Sequence, residues 1–161
     1  MTAGEAYELI TMGGATDFAR LIAACERFGS YCLIGDLAVN CCVEPVYTLD
    51  VDLVVLAASL PGPTAHLAAQ TFPSQLRIRF TTDERYQSFP ARSAEADVLG
   101  IRAKIACRED VTRGKLWAYA DPRRRLSKWK KDELDLIRLA EAYPELKARC
   151  PAELREQLER G

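Results

Sequence analysis

Two aspartates separated by one residue are the side chains of this sequence best suited to chemistry. Asp50 and Asp52 lie in TLDVDLVVLA (48–57), where Leu49, Val51, Leu53 and Val55 alternate with Thr48, the aspartates and Val54, as in a β-strand. At a rise of about 3.3 Å per residue the carboxylates stand about 6.6 Å apart on one face, within reach of one divalent cation or two.

Acidic side chains on an apolar strand are unfavourable unless they are solvated, paired or bound to metal. The pair Asp50 and Asp52 therefore predicts a metal site suited to phosphoryl or nucleotidyl transfer, in which metal neutralises triphosphate charge. The same pattern is also compatible with a solvated edge strand or with two salt bridges to helices.

A strand, a tight turn and a short helix are expected just upstream. The apolar run Tyr31–Ile34 meets Gly35 and Asp36 and continues into LAVNCC (37–42), and Pro45 follows. The backbone amides of such a turn, at the start of a helix, can bind a phosphate.

The remaining pattern indicates an α/β (α+β) domain. We expect a short mixed sheet that carries Asp50 and Asp52, helices packed on one face, and a C-terminal helical segment that closes the site. The chain of 161 residues fits one domain, with a core over about residues 15–120 and the helical segment over about 126–160. The further elements expected are an amphipathic helix (15–29), a helix (64–72), a strand (76–83), a strand or strand pair (95–106), a helix (111–120), a basic loop (123–131) and a helix (132–143) with Leu134 and Leu136 on its apolar side.

Composition excludes several classes of protein. The hydrophobic fraction is 48%, the charged fraction 28% and the net charge −1, so bulk electrostatics do not favour nucleic-acid binding and any such contact must be local. The first residues lack the pattern of a secretory signal, and no apolar run approaches the length of a membrane span, so a cytoplasmic location without membrane contact is expected. The six cysteines form no C-x-x-C pair and the chain has one histidine, His66, so buried thiols are favoured over zinc ligands.

Two segments together resemble the first motif of the polymerase-β-type nucleotidyltransferase superfamily. They are IGDLAV (34–39) and TLDVDLV (48–54), and the closest likeness is to small bacterial proteins related to the abortive-infection (AbiEii-type) toxins. GKLWAY (114–119), KDELD (131–135) and RLAEAYPEL (138–146) resemble later motifs of those proteins. The likeness covers roughly residues 31–151.

The resemblance implies a nucleotidyltransferase fold and transfer of a nucleoside monophosphate from a nucleoside triphosphate, with Mg²⁺ or Mn²⁺. The acceptor would be RNA, such as a tRNA-like 3′ end, or a protein, in a toxin–antitoxin or phage-defence setting with a possible partner antitoxin protein. It places Asp50 and Asp52 at the metal and a third carboxylate nearby, for which Asp83 is the candidate and Asp97 the rival. The nucleotide-binding residues would be Gly35, Asp36, Thr48, Lys115, Lys128, Lys131 and Asp132.

Two departures from the family pattern favour an alternative. Asp36 stands where Gly or Ser is common, and Val46 and Tyr47 stand where a basic residue often precedes the Thr-x-Asp motif. Both changes disfavour a triphosphate unless cations compensate. The alternative is a catalytically weakened nucleotide- or protein-binding module of the same fold.

One concentrated basic segment could contact nucleic acid or triphosphate. It contains Arg123, Arg124, Arg125, Lys128, Lys130 and Lys131, and Trp117 and Trp129 flank it. These tryptophans could stack on a base or cover the core, and the segment could also be a solvated loop.

Overall fold

A computed structural model describes residues 1–160 and contains seven α-helices and five β-strands within them. The strands are β1 (Tyr31–Ile34), β2 (Asp50–Val55), β3 (Arg77–Thr81), β4 (Ala94–Val98) and β5 (Ile101–Ile105). The helices are α1 (Ala3–Thr11), α2 (Gly14–Phe28), α3 (Gly35–Asn40), α4 (Pro61–Ala68), α5 (Arg108–Ala120), α6 (Leu126–Ala142) and α7 (Ala152–Arg160). None of these helices combines the length and the apolar character that a membrane span requires.

The five strands form one mixed sheet in the order β3-β2-β1-β5-β4. Strand β1 pairs antiparallel with β2 and parallel with β5, while β2 pairs parallel with β3 and β4 pairs antiparallel with β5. The expected α+β class and short mixed sheet are confirmed, and the segment 95–106 is a strand pair.

Alternation along the strands divides the core into two layers. Val51, Leu53 and Val55 of β2 pack on one face against α2, whose Phe18 and Leu21 are fully buried. Val54 points to the other face and packs with residues of α3, α5 and α6. Helices therefore cover both faces of the sheet, whereas the sequence led us to expect helices on one face only.

The C-terminal helices begin and pack differently from the expectation. Helix α6 starts at Leu126, so Lys128, Lys130 and Lys131 are helical rather than part of a basic loop. Leu136 is buried against the end of α5, but Leu134 is 50% exposed and does not belong to the apolar side. Because α6 starts at Leu126, the helix determines the directions in which the side chains of Lys128, Lys130 and Lys131 point.

The first helix was not expected from the sequence. Helix α1 begins with a capping box in which the Thr2 hydroxyl accepts a hydrogen bond from the Glu5 amide, and the Glu5 carboxylate accepts one from the Thr2 amide. Its Tyr7 hydroxyl donates a 2.8 Å hydrogen bond to the carbonyl of Thr48. Helix α1 thus supports the segment that enters β2.

Candidate functional site

One charged cavity lies where β2, the start of α3, α5 and α6 meet. Its volume is about 200 Å³, and five cationic and four carboxylate side chains line it. The charged lining residues are Asp36, Asp50, Asp52, Arg79, Lys115, Arg124, Lys128, Lys131 and Asp132. We call it the site cavity.

The register of β2 and β3 gives each strand aspartate an arginine partner. Asp50 lies opposite Arg77 and Asp52 opposite Arg79, because the two strands run parallel and residue 50 pairs with residue 77. The guanidinium groups approach the carboxylates at 2.7 Å in both pairs. Lys128 of α6 also donates to Asp50, at 2.5 Å.

Both aspartates open toward the site cavity on one face of the sheet, as the alternation predicted. The side chains of Arg77 and Arg79 are 62% and 56% exposed, so their ion pairs can exchange with other ligands at modest free-energy cost. The carboxylates are therefore paired but accessible from the cavity.

Gly35 makes room for one of these carboxylates. Its backbone has a φ of +67°, and a Cβ atom at this position would lie 2.6 Å from Oδ2 of Asp52. Glycine is thus required here both for the left-handed backbone and for the close approach of the β2 carboxylate.

A Gly35→Ala substitution is expected to move Asp52 out of place. Strain of the left-handed backbone costs about 1–2 kcal/mol of unfolding free energy, and the methyl group displaces the carboxylate. Gly100→Ala is the matched control, because Gly100 has a φ of +84° and open space around its Cα. Urea unfolding should show similar losses for both variants, while only Gly35→Ala should lose ligand binding at the cavity. Equal binding by the two variants would contradict the role given to Gly35.

A buried lysine joins three elements behind the β2 aspartates. The ammonium of Lys115, on α5, lies 2.7 Å from Asp36, 3.0 Å from Asp132 and 2.7 Å from Asp135. Lys115 itself is 5% exposed. This Lys115 cluster ties α3, α5 and α6 together and brings Asp36 and Asp132 to the cavity.

Outer cations complete the charge balance of the cluster. Lys131 pairs with Asp36, Arg124 pairs with Asp132 at 2.8 Å, and Arg138 pairs with Asp135 at 2.8 Å. The negative charge of Asp36, which would repel a triphosphate, is therefore compensated by two lysines.

The electrostatic environment gives three of the four cavity carboxyls different pKa values. Burial raises the pKa of Asp52, and the negative charges of Asp36 and Asp50 add to this although Arg79 opposes it. Burial acts in the same direction on Asp50, but Lys128 and the two arginines outweigh it and lower its pKa. In the same way Lys115 and Lys131 overcome burial and hold the pKa of Asp36 well below its usual range.

Acid should weaken the fold through Asp36. A carboxyl whose pKa is lower in the folded than in the unfolded state stabilises the fold above the unfolded pKa of about 3.9, and this contribution is lost as the pH falls below it. We expect the unfolding free energy of the native protein to fall more steeply between about pH 5 and pH 3 than that of Asp36→Asn. Urea unfolding at pH 7, 5, 4 and 3 measures this difference. Parallel pH profiles would show that the pairs of Asp36 add no stability.

The structure brings most of the predicted site residues to one place. Those that line the cavity are Gly35, Asp36, Asp50, Asp52, Lys115, Lys128, Lys131 and Asp132. Thr48 is buried directly behind them, where its hydroxyl donates to Asp36 at 3.2 Å and accepts from the Asp50 amide. Thr48 therefore supports Asp36 and Asp50 from behind the cavity.

The two candidates for a third carboxylate lie elsewhere. Asp83 is outside the lining of the cavity, at the end of the loop after β3, and its carboxylate pairs with Arg85 at 2.8 Å. Asp97 is on β4, at the far edge of the sheet from β3, and accepts from the Gly100 amide. The third cavity carboxylate beside Asp50 and Asp52 is instead Asp36.

Sequence reasoning missed Arg79 and Tyr86 as lining residues and identified Arg124 only as a member of the basic segment. The alternation of 76–83 placed Arg79 on the polar face of its strand, but no signal in the sequence indicated which strand lies beside β2. Arg124 belongs to the basic segment, and only its pairing with Asp132 distinguishes it from Arg123.

The two tryptophans near the basic segment have different places. Trp129 stacks on Tyr119 at 4.7 Å and donates from its indole nitrogen to the Tyr119 carbonyl, so it covers the core. Trp117 packs against Tyr86 and Phe89, beside the site cavity. Of the two tryptophans, Trp117 is the one that lies next to the residues lining the site cavity.

The donor set of the cavity fits a divalent cation only in part. Within residues 1–160 no group of three or more histidine, cysteine, aspartate or glutamate side chains is arranged to hold a metal. Asp50 and Asp52 supply hard oxygen ligands on one face, and the close approach of Gly35 leaves Asp52 turned toward the cavity. A cation held there would take its other ligands from water or from phosphate oxygens of a substrate.

Together, fold and site define an α+β domain with a mixed five-stranded sheet and a charged cavity at the ends of β1 and β2. Compared with models of known protein families the chain gives no match, and compared with curated proteins it shows no significant similarity to any. The function is therefore inferred from the chemistry of the cavity.

Proposed function

We propose that this protein is a metal-dependent nucleotidyltransferase of the polymerase-β type, which uses a nucleoside triphosphate and adds the nucleoside monophosphate to an acceptor. The observation that carries the proposal is the meeting of Asp50 and Asp52 with the Gly35 turn and with Lys128 and Lys131 in one cavity. These residues come from distant parts of the chain and combine oxygen ligands for a cation with cations for phosphates.

The arrangement of charge suits a triphosphate with its metal. Lys128 and Lys131 are about 28–29% exposed and reach the cavity from one face of α6, so phosphate oxygens can replace the carboxylates that they now contact. Arg79 adds a third cation, which offsets the absence of a basic residue before Thr48. The residues thus hold the substrate mainly by positioning and electrostatics.

Asp50 and Asp52 would hold Mg²⁺ or Mn²⁺, which neutralises phosphate charge and stabilises the leaving pyrophosphate when bound. In the reaction an acceptor hydroxyl oxygen forms a bond to the α-phosphorus, the bond from that phosphorus to the oxygen bridging to the β-phosphate breaks, pyrophosphate leaves, and the hydroxyl proton passes to water. RNA or a protein hydroxyl would be the acceptor, and a partner antitoxin protein remains a proposal based on resemblance.

The second candidate is a catalytically weakened binding module of the same fold. The observation that favours it is that Asp50 and Asp52 are each paired with a basic side chain. If these pairs persisted with nucleotide bound, the protein would bind a nucleotide without transferring it.

Label transfer separates the two candidates. Purified protein should be incubated with each α-labelled nucleoside triphosphate, Mg²⁺ or Mn²⁺ and total RNA, and the label should then be followed on gels. Transfer to RNA or to protein supports the enzyme. Binding of nucleotide without any transfer supports the module, and the absence of both would overturn the proposal.

Metal and nucleotide are expected to stabilise the protein cooperatively. Metal alone must displace Lys128, Arg77 and Arg79 from the aspartates, whereas a triphosphate gives these cations new partners. At a hundred times its dissociation constant the metal–nucleotide complex should add about 2.7 kcal/mol, which raises Tm by about 5–10 °C for a chain of this size. Thermal melts with metal, with nucleotide plus chelator, and with both measure this effect. If the Tm shift with metal and nucleotide together were only the sum of the two separate shifts, the proposed exchange of ion pairs would be contradicted.

A further inference from the structure

A second cavity adjoins the site cavity. Its volume is about 450 Å³, and it shares Tyr86, Ala118 and Arg124 with the site cavity. The side chains that define it are Arg85, Tyr86, Trp117, Asp121, Arg123 and Arg124. We call it the arginine groove.

The floor of the arginine groove is aromatic and fixed by packing. Trp117 stacks on Phe89 with an interplanar angle of 19°, and Tyr86 meets its edge with ring centroids 4.9 Å apart. The guanidinium carbon of Arg85 lies 5.1 Å from the centre of the Trp117 ring. Arginine and aromatic side chains in such a position are surfaces on which nucleic-acid bases stack.

The rim of the groove is cationic and open to solvent. Three arginines line the groove with one carboxylate, that of Asp121, while Arg85 and Arg124 pair with Asp83 and Asp132 next to the groove. The side chain of Arg123 is 92% exposed and that of Arg85 is 57% exposed. Exposed cations that lead away from a reaction site fit a chain of phosphates better than they fit a single compact ligand.

We propose that the arginine groove binds the end of a single-stranded polynucleotide, with its phosphates on Arg85 and Arg123 and a base against Trp117. This inference rests on the proposed function and deepens it, because it makes the acceptor a nucleic acid and assigns its path into the site cavity. The terminal hydroxyl of the strand would then reach the cavity past Tyr86 and Arg124, which line both spaces.

A protein acceptor is less well matched to these residues. A groove for an extended strand or an amphipathic helix would present unpaired backbone groups or an apolar pocket, whereas this groove presents arginines around an aromatic floor. Whether the strand is RNA or DNA depends on contacts to the 2′-hydroxyl, so the experiment includes both.

The test measures binding of short fluorescent single strands of RNA and DNA by anisotropy, without nucleotide or metal, at several salt concentrations. The variant is Arg85→Ala with Arg123→Ala, and Arg123→Glu alone serves as a second variant that disturbs no packing. Arg102→Ala is the matched control, because Arg102 is also exposed and ion-paired, with Glu95, but lies on β5 away from the groove. Melts confirm that each variant is folded.

The native protein and Arg102→Ala should bind the strand equally, and the double variant should bind about tenfold more weakly or worse. Loss of two phosphate contacts should reduce the slope of log affinity against log salt by about 1.4. Arg123→Glu should also weaken binding. Absence of strand binding by the native protein, or equal binding by all variants, would overturn the inference.

Transfer assays on the same proteins distinguish failure of this inference from failure of the proposed function. If the double variant still transfers label to RNA normally, or if label goes only to protein, the groove is not the acceptor path although the enzyme proposal stands. If no protein transfers label but strand binding still depends on Arg85 and Arg123, the groove stands and the enzyme proposal fails.

Discussion

Replacing Asp50 and Asp52 together with Asn is expected to reduce metal-dependent transfer by at least about a thousandfold. The physical reason is the loss of both carboxylate ligands for the cation, which corresponds to about 4 kcal/mol or more of transition-state stabilisation. The fold should persist, because Arg77 and Arg79 are more than half exposed and can be solvated when their partners become neutral. We expect the unfolding free energy to change by no more than about 1 kcal/mol.

Glu95→Gln is the matched control for this variant. Glu95 also pairs with an exposed arginine, Arg102, but it lies on β4, outside the site cavity and the arginine groove. It should keep transfer activity and the combined metal and nucleotide effect on Tm, and Asp50→Asn with Asp52→Asn should lose both. Full activity in the double variant would remove the basis of the proposed function. A loss of several kcal/mol of unfolding free energy in the double variant, together with no response of the native protein to metal and nucleotide, would indicate that the two aspartates are structural.

Replacing Lys115 with Met is expected to destabilise the protein by about 3–5 kcal/mol. The substitution leaves Asp36, Asp132 and Asp135 close together and mostly buried without their shared cation, and breaking a buried ion pair in this way has a cost of that size. For a chain of this length Tm should fall by about 10 °C. Urea unfolding and thermal melts without nucleotide measure the effect separately from activity.

Two further variants test whether charge is the cause. Lys130→Met removes a lysine that is 60% exposed and paired with Glu133 three residues away, and it should cost less than about 1 kcal/mol. Combining Lys115→Met with Asp135→Asn should recover part of the lost stability, since one of the three carboxylates is then neutral. If Lys115→Met lowered the free energy of unfolding no more than Lys130→Met does, the outer cations alone would be sufficient to balance the charge of the Lys115 cluster.

The two charge experiments address different features of the same cavity. Asp50 and Asp52 have exposed or exchangeable partners and can turn to a ligand, whereas Lys115 is enclosed by three carboxylates. The resemblance assigned Lys115 to the nucleotide site. Its geometry favours a positioning role, in which it fixes Asp36 and the part of α6 around Asp132 and Asp135, while Lys128 and Lys131 face the cavity.

Local pattern was sufficient for strand β2 and for the Gly35 turn upstream of it. Alternation predicted the two faces of β2, because side chains of a strand point in opposite directions at successive positions. A glycine between an apolar strand and a short helix predicted the Gly35 turn, because few other residues adopt a φ of +67°. The convergence of Lys115 and Asp132 on the same place followed from family resemblance and from no spacing in the chain.

Contacts between distant segments could not be predicted from local sequence pattern. Arg77 and Arg79 alternate with apolar residues in any register, and only the parallel pairing of β3 with β2 places them opposite Asp50 and Asp52. For the same reason the choice of Asp83 or Asp97 as third carboxylate had no physical basis in spacing, and the structure places Asp36 in the cavity instead.

By itself the sequence determined which residues share a face and where the backbone needs glycine, since both depend on geometry within a few residues. Tertiary structure decided which charges meet. Two layers of helices, on opposite faces of the sheet, and the start of α6 at Leu126 bring Lys128 to Asp50 across 78 positions of the chain. Because the energy of an ion pair depends on distance and burial rather than on order in the chain, the balance of the cavity between carboxylates and cations emerges only in the folded molecule.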